Sequence, residues 1–410
     1  MRFCYTPILV GLLISQTVSV RPAVSADTPA GGTASSPNAA VIYWQAFAAL
    51  PRLEGEQKTK YEAAIKSTTD PIPDDLQPIM ARFDTSLREL HRAREVAACD
   101  WNLNYDDGPG LILPHLQKAR ELSRAALLRA RLRFAAKATD DAVADVVAVL
   151  KMARDCGSSP LLVSVLVDIA IEQMATELLS ANLSSLSPKQ LDSLATSLET
   201  LPATPSMVDC MRLEGRVFGD WMERFINSEA TKLNDPKAGA KVLDALLKQM
   251  NDGSPPDANE ADAIQRRNLL ESLTIADVRE SLRLLRADYA ELAKIVGLPP
   301  TERRGRLVES ESQFAETRKS ANREDVLRHL SHLILPAIVK VTDREDQLHV
   351  RRSLLTFAIQ VQLHGPDAIK DATVPDYGPI EYRKTDSGFE LRCQPKSADE
   401  PVVLRVVTAR

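Results

Sequence analysis

Aromatic residues make up only 5% of the 410-residue chain. Strands depend on aromatic and β-branched side chains, so this scarcity weighs against a fold built mainly from sheets. Alanine and leucine, which are strong helix formers, are abundant instead. The composition therefore predicts a mainly α-helical protein.

Motifs of several common enzyme classes are missing. The chain contains no glycine-rich phosphate loop, no G-x-S-x-G elbow and no H-E-x-x-H pair. Their absence weighs against common hydrolases and nucleotide enzymes. The sequence therefore assigns no catalytic residue, no cofactor and no metal.

An excess of basic residues is also missing. The formal net charge is -5, and loss of an N-terminal segment containing Arg2 and Arg21 would make it more negative still. Nucleic-acid-binding proteins need a basic face for the phosphate backbone. A nucleic-acid partner is therefore not expected.

Long apolar runs are confined to the N-terminus. Arg2 precedes an apolar core, Ile8 to Ile14, and Val24-Ser25-Ala26 supplies the small residues of a cleavage site. This pattern predicts a signal peptide over residues 1–26 and a flexible lead over residues 27–38. No later segment is long and apolar enough to span a membrane, so the expected location is periplasmic or extracellular.

Cysteine is scarce, and four cysteines follow the predicted cleavage site: Cys99, Cys156, Cys210 and Cys393. An exported chain meets an oxidising compartment, where such residues can pair as disulfides. Three pairings of four cysteines exist, and the sequence does not rank them. Their spacing matches no zinc-binding pattern.

Helical periodicity covers most of the remaining chain and predicts one helical domain over residues 39–371. Clear helices are predicted for Thr139 to Cys156, from Ser187-Pro188 and for Ile275 to Val296. The segment 251–260 is rich in turn-forming residues and is a candidate boundary within this domain. No repeat of fixed length recurs, which favours an irregular multi-helical bundle over a solenoid.

The helix that begins near Leu111 has two apolar stripes on nearly opposite faces. One stripe includes Leu116 and Ala126, and the other includes Ala125 and Leu128. A helix that is apolar on two sides packs between two neighbours, so we expect it to be central. Its arginines are interpreted as rim salt bridges in preference to an anion site.

The last forty residues have a different pattern. Ile380 to Arg383 and Phe389 to Arg392 are short extended runs on either side of a turn, which predicts a β-hairpin. Val402 to Val407 is a candidate third strand. We expect this small β-element, residues 372–410, to pack on the helices because it is too small to be stable alone.

The loop "CDWNLNYDDGPGLILPH", residues 99–115, has the highest density of polar side chains. Its candidate binding residues are Asp100, Trp101, Asn102, Asn104, Asp106, Asp107 and His115. A standard calcium-binding EF-hand loop is excluded because Tyr105 stands where glycine is required and Leu111 where glutamate is required, whereas a looser cation site at Asp106 or Asp107 stays open. The favoured interpretation is a rigid lead into a helix, with the polar groups bonded to the loop's own backbone.

Two further clusters of polar side chains have a helical spacing. Ser164, Asp168, Glu172 and Thr176 recur every four residues in an apolar helix, and a solvated stripe is favoured over a carboxylate pair for acid–base chemistry. His329 and His332 are interpreted as partly exposed or core histidines, because two imidazoles alone do not make a metal site.

Two stretches carry a family resemblance: "CDWNLNYDDGPGLILPHLQKARELSRAALLRARLRF" and "PIEYRKTDSGFELRC". They resemble segments of exported, mostly helical proteins that planctomycete bacteria encode in many copies and whose activity is unassigned. The resemblance implies an exported helical protein and transfers no site residues.

The sequence as a whole favours a non-enzymatic binding or scaffolding protein of the cell envelope, with a protein or another envelope component as its partner. An envelope hydrolase or metal-assisted enzyme with a site in the 99–115 loop is the alternative. A carrier of lipids or small ligands would need an apolar cavity between helices. The sequence does not define the oligomeric state.

Overall fold

The computed structural model describes residues 37–66, 72–250, 261–317, 320, 322–335, 338–395 and 400–408. The predicted signal peptide, the predicted lead up to residue 36 and the candidate boundary at 251–260 lie outside these ranges. From Asn38 onward the chain forms one compact unit.

Helices dominate this unit, as the composition predicts. In chain order they are α1 Ala39–Ala48, α2 Gly55–Lys66, α3 Gln77–Ala81, α4 Asp84–Arg94, α5 Pro114–Ala135, α6 Thr139–Gly157, α7 Leu162–Asn182, α8 Pro188–Glu199, α9 Met207–Leu233, α10 Gly239–Gln249, α11 Ala261–Glu271, α12 Ile275–Val296, α13 Pro300–Thr317, α14 Arg323–Leu327, α15 His329–Ile334 and α16 Ile338–His364. The prediction of a mainly α fold with a small C-terminal β-element is confirmed.

Local capping explains where several helices begin. Ser187 starts α8 with a reciprocal capping box to Gln190, and Thr274 starts α12 with the same arrangement to Asp277. Such side chains satisfy amide groups that the first helical turn leaves without partners. Helix α5 starts at Pro114, slightly later than predicted, because a proline suits the first helical position and the preceding residues form a short 3-10 segment.

Two large hydrophobic cores and a small third cluster around Leu213 lie among the described residues. The first core lies among α1, α4, α5, α6, α8 and the sheet, and the second lies among α9, α10, α12 and α15. Two helices belong to both. Helix α7 places Val165 in the second core and Leu179 in the first, while α16 places Val341 in the second and Leu354 in the first.

Helix α5 is central to the first core, as its two apolar stripes predict. Leu116 and Ala126 are buried on one stripe, and Ala125 and Leu128 are buried on the other. The prediction that its arginines form salt bridges is confirmed for two of them. Arg129 and Arg133 bind the fully buried carboxylate of Asp145 at 2.6 Å and 2.7 Å.

The C-terminal sheet has four antiparallel strands in the order β1-β2-β3-β4: Thr373–Val374, Gly378–Thr385, Gly388–Cys393 and Val402–Val407. The hairpin and the third strand occur as predicted, and the short strand β1 is an addition. Leu391 pairs with Leu404 and both are buried, so one face of the sheet closes the first core. Strand β4 packs against α7 and α16.

The four cysteines that the sequence offers as disulfide candidates are free thiols. Cys156, Cys210 and Cys393 are buried in α6, α9 and β3, and Cys99 is half-buried. The expectation of disulfides is not met within the described part of the chain: Cys156, Cys210 and Cys393 pack as apolar side chains in three separate elements, and Cys99 packs against the first core.

Among the described residues, no helix has both the length and the apolar character that crossing a bilayer requires.

Candidate functional site

Trp101 anchors the 99–115 loop in the first core. Its indole stacks on the imidazole of His115, with ring centroids 4.3 Å apart, and on the rings of Tyr43 and Phe47. Its Nε1 donates to the backbone oxygen of Asp155 at 2.8 Å. The loop is therefore fixed by an aromatic cluster and a hydrogen bond to α6.

Asp155 connects this cluster to the core beneath it. Its Oδ2 accepts from the Tyr43 hydroxyl at 2.7 Å and from the Lys151 ammonium at 2.5 Å. Burial raises the pKa of the nearby Cys99 thiol to about 12. A thiol with so high a pKa carries little thiolate, which argues against a nucleophilic role for Cys99.

Most other polar side chains of the loop are bonded to the protein itself. The Asn38 side chain bonds both backbone groups of Asp100, and the Asp100 carboxylate accepts from the Asn102 amide at 2.9 Å. Asn104 donates to Asp107 at 2.9 Å. These hydrogen bonds agree with the interpretation of the loop as a rigid segment that leads into helix α5.

The far end of the loop docks on α9. Asp106 pairs with Arg224 at 2.9 Å in an exposed contact. Gly108 has a positive φ of 53° and lies so close to the Trp221 ring that a Cβ atom would come within 2.2 Å of it. Only glycine fits there, so the loop forms a brace between α1, α6 and α9.

His115 is 1% exposed, whereas the side chain of Asp106 is 79% exposed. Burial lowers the pKa of His115 to about 4, so its imidazole is neutral at pH 7. The structure brings His115 together with Trp101 but not with the exposed Asp106. No group of three or more His, Cys, Asp or Glu residues suited to a metal ion occurs within the described ranges.

His329 and His332 are half-buried, in line with the structural interpretation. Both imidazoles lie near the Arg266 guanidinium, and His332 Nε2 is 2.8 Å from the Thr317 hydroxyl. A cationic neighbour disfavours binding of a second cation at this pair.

The predicted solvated stripe on α7 is wrong. Ser164, Asp168, Glu172 and Thr176 are each at most 3% exposed. Helix α7 packs against α6 on one side and α16 on another, so the face that carries these four residues is covered. Buried acids require compensating groups, and α6 and α16 supply them.

Glu172 is compensated by two arginines. Arg352 of α16 donates Nε and Nη2 to its carboxylate at 2.6 Å and 2.7 Å, and Arg154 of α6 donates Nε at 3.0 Å. Arg352 also donates Nη1 to the Thr204 hydroxyl at 3.1 Å. Paired guanidinium hydrogen bonds of this kind are strong and directional.

Asp168 forms no ion pair within the described part of the chain, unlike Glu172. Its side chain is 3% exposed. Burial, together with the neighbouring Glu172 carboxylate, raises the pKa of Asp168 well above its usual range. A hydrogen bond between the Asp168 and Glu172 side chains contributes to this rise, so the two acids act as a pair.

Further charged side chains, on α13 and α16, lie around the same cavity as Asp168. Arg303 forms a buried ion pair with Asp346, whose carboxylate also accepts the Tyr377 hydroxyl at 2.6 Å. Burial raises the pKa of Glu345 to about 7. His349 stacks on Tyr377, with ring centroids 5.3 Å apart.

These side chains enclose a cavity of about 180 Å³ where the two cores meet, which we call the junction cleft. Its polar lining consists of Asp168, Thr204, Arg303, Glu345, Asp346, His349, Arg352 and Tyr377. The sequence signal for this site was the spacing of Asp168 and Glu172 in an apolar helix. No local signal linked them to Arg303, Arg352 or Tyr377.

Comparisons with known proteins give no relative to guide the assignment: no family model, no curated protein and no solved structure matches this chain. The resemblance of two segments to planctomycete exported proteins stays a prediction.

Proposed function

We propose that the protein is an exported, non-enzymatic binding protein of the cell envelope that holds a small polar solute in the junction cleft. The observation that carries this proposal is the polar lining of the cavity, where the carboxyl groups of Asp168 and Glu345 and the guanidinium groups of Arg303 and Arg352 surround a space of about 180 Å³. Polar groups that converge on one pocket fix the orientation of a bound solute and give specificity.

The geometry of the 99–115 loop argues against a catalytic site at that loop. Its Asn and Asp side chains bond to neighbouring groups of the same chain, and His115 is enclosed by aromatic rings. A reacting site needs polar groups that converge on a substrate. The loop instead braces helices that surround the first core.

Solute binding is tested by thermal unfolding of the purified protein with a panel of small polar solutes: amino acids, carboxylates, amines and sugars. A solute at one hundred times its Kd adds about 2.7 kcal/mol of stability, which raises Tm by a few degrees. Thr204→Phe fills the cleft and should abolish the increase. Thr200→Phe, on the exposed end of α8, should preserve it. A panel without any Tm increase, or an increase that survives Thr204→Phe, contradicts the proposal.

The proposed location rests on the signal-peptide pattern and on the resemblance to exported proteins. Export is tested by fractionating the producing cells and sequencing the N-terminus of the recovered protein. We expect a chain that begins at Asp27 in the periplasm or medium. An intact N-terminus in the cytoplasmic fraction would contradict export.

One observation favours a second candidate, an acid–base enzyme that uses the same cleft. The pKa of Glu345, about 7, suits proton transfer at neutral pH. Mass spectrometry of a bound solute after prolonged incubation separates the two functions. A binding protein returns the solute unchanged, whereas an enzyme forms a product at a rate that Glu345→Gln abolishes.

A further inference from the structure

We propose that the solute of the junction cleft is a small monocarboxylate, and that the cleft takes up one proton together with it. This inference rests on the proposed function and specifies its ligand class and its pH dependence. Three features carry it: guanidinium donors that the protein leaves unused, an excess of positive charge among the buried pairs, and Glu345, a carboxyl group that interacts electrostatically with both arginines of the cleft.

Arg352 and Arg303 supply the donors for the solute carboxylate. A guanidinium group has five N–H donors. Arg352 uses three of them, two on Glu172 and one on Thr204. Arg303 uses two, one on Asp346 and one on a backbone oxygen. The described residues accept none of the remaining N–H groups. The Arg352 side chain is 25% exposed, and its planar fork matches the geometry of a carboxylate.

The buried charges around the cleft do not cancel when Glu345 is protonated. Asp168 and Glu172 are joined by a hydrogen bond, and one of them carries a proton because an ionised carboxylate only accepts. This pair and Asp346 therefore contribute two negative charges. Three positive charges oppose them, from the guanidinium groups of Arg154, Arg303 and Arg352. A solute with a single negative charge balances the excess.

Glu345 is the group that takes up the proton. Its carboxyl group accepts the backbone amide of Met207 at the start of α9, and burial raises its pKa to about 7. The charged and titratable groups around it are Asp168 of α7, Cys210 of α9, Arg303 of α13, Asp346, His349 and Arg352 of α16, and Tyr377 between β1 and β2. A bound anion disfavours the ionised form of Glu345, so binding draws a proton from solution.

The other titratable groups around Glu345 keep their charge between pH 6 and pH 8. Burial lowers the pKa of His349 below its usual value. Burial also raises the pKa of the Cys210 thiol and of the Tyr377 hydroxyl, which moves both further above this range. The Asp168–Glu172 pair holds its shared proton through its hydrogen bond. The change in charge over this range therefore belongs to Glu345.

The affinity for a carboxylate should consequently fall as pH rises. Below pH 7 Glu345 is protonated, and the cleft has its excess positive charge. Above pH 7 Glu345 ionises, which cancels the excess and repels the solute. With one linked proton, the Kd rises about tenfold between pH 6 and pH 8.

The test is isothermal titration of the purified full chain with propionate at pH 6 and pH 8, in buffers of different ionisation enthalpy. We expect the Kd to be about tenfold higher at pH 8, with uptake of about one proton per propionate at that pH. Propionamide, which is neutral, and ethylamine, which is a cation, should each bind at least tenfold more weakly than propionate at pH 6. Inorganic phosphate at pH 8 should also bind more weakly than propionate, because its second negative charge has no counterpart.

Glu345→Gln should remove the pH dependence. Glutamine keeps an acceptor for the Met207 amide but does not ionise, so the variant should bind propionate equally tightly at both pH values and without proton uptake. Glu177→Gln, in the half-exposed pair with Arg351, is the matched control and should keep the pH dependence of the wild type. Near-UV circular dichroism of both variants checks that the fold is intact.

The outcomes separate this inference from the function beneath it. Equal Kd values for propionate at the two pH values, or a pH dependence that survives Glu345→Gln, would overturn the proton uptake. If propionamide, ethylamine or phosphate binds more tightly than propionate, and Thr204→Phe abolishes that binding, the carboxylate class is wrong and the binding function stands. If no solute of the thermal-unfolding panel binds, both fail.

Discussion

Arg352 holds Glu172 through two hydrogen bonds, of 2.6 Å and 2.7 Å, at the place where the two hydrophobic cores meet. Glu172 is 1% exposed, so its charge depends on protein groups for compensation. The two residues are 180 positions apart in the chain, and their contact joins α7 to α16.

Replacement of Arg352 by methionine should therefore destabilise the protein strongly. The variant leaves Glu172 buried with Arg154 as its remaining partner, and loss of one member of a buried pair costs about 3 kcal/mol. Urea unfolding measures this loss. Arg351→Met is the matched control, because Arg351 binds the half-exposed Glu177 and should cost less than about 1 kcal/mol. Equal losses of stability for the two variants would contradict a special contribution of the Arg352–Glu172 pair to the free energy of unfolding.

Glu345 should make stability fall as pH rises from 4.5 to 7. Its pKa is about 7 in the folded protein and 4.5 in an unfolded chain, so the folded state retains a proton that the unfolded state has released. Glu345→Gln removes this difference. The variant should gain stability relative to wild type across that window, by up to about 3 kcal/mol. Urea unfolding at several pH values gives the comparison, and parallel curves for the two proteins would refute the assignment.

His115 should make stability fall as pH falls from 6.5 to 4. Its pKa falls from 6.5 to about 4 on folding, so the unfolded chain binds a proton in this range that the folded chain does not. Stability contributed by the neutral imidazole is therefore lost as pH falls. His115→Phe retains the stacking on Trp101 and should resist acid better than wild type in the same measurements. A variant that is equally acid-sensitive would place the titrating group elsewhere.

The docking of the 99–115 loop on α9 predicts a sharp difference between two nearby glycines. Gly108→Ala forces a Cβ atom into the Trp221 ring at a positive φ and should cost more than about 2 kcal/mol in urea unfolding. A Cβ atom at Gly110 meets no atom within 4 Å, so Gly110→Ala should be close to neutral. Similar losses of stability for both variants would mean that the loop does not pack on Trp221.

The four described cysteines should react only after unfolding. Cys156, Cys210 and Cys393 are buried, and burial raises the pKa of each of these thiols and of Cys99. Alkylation at pH 8 followed by intact-mass measurement should show slow modification of the native protein and complete modification in denaturant without reductant. Thiols that stay unmodified in denaturant until reductant is added would reveal a disulfide.

Local chemistry allowed much of the fold to be predicted. The bounds of α12, the cap at Ser187 and the strand Val402–Val407 follow from side-chain periodicity and turn residues that act over a few positions. The two apolar stripes of α5 likewise predicted its central place, because the number of buried faces on a helix reflects its number of neighbours.

The junction cleft could not be predicted in this way. The four-residue spacing of Asp168 and Glu172 fits a solvated face and a buried pair equally well, and the difference depends on Arg352, far along the chain. The same holds for Trp101: the sequence marks it as a candidate binding residue of the 99–115 loop, whereas its hydrogen bond to the Asp155 backbone depends on the packed structure. Charge pairs between distant elements leave no periodic trace in the sequence.

Helix α16 is 27 residues long, which corresponds to about 40 Å, and it supplies side chains to both cores. Neither core can open without exposing one half of it, so the protein should unfold as a single cooperative unit with one transition. Arg352 lies near the middle of α16. A solute held there would slow amide hydrogen exchange at both ends of the helix together, which couples occupancy of the cleft to the rigidity of the whole molecule.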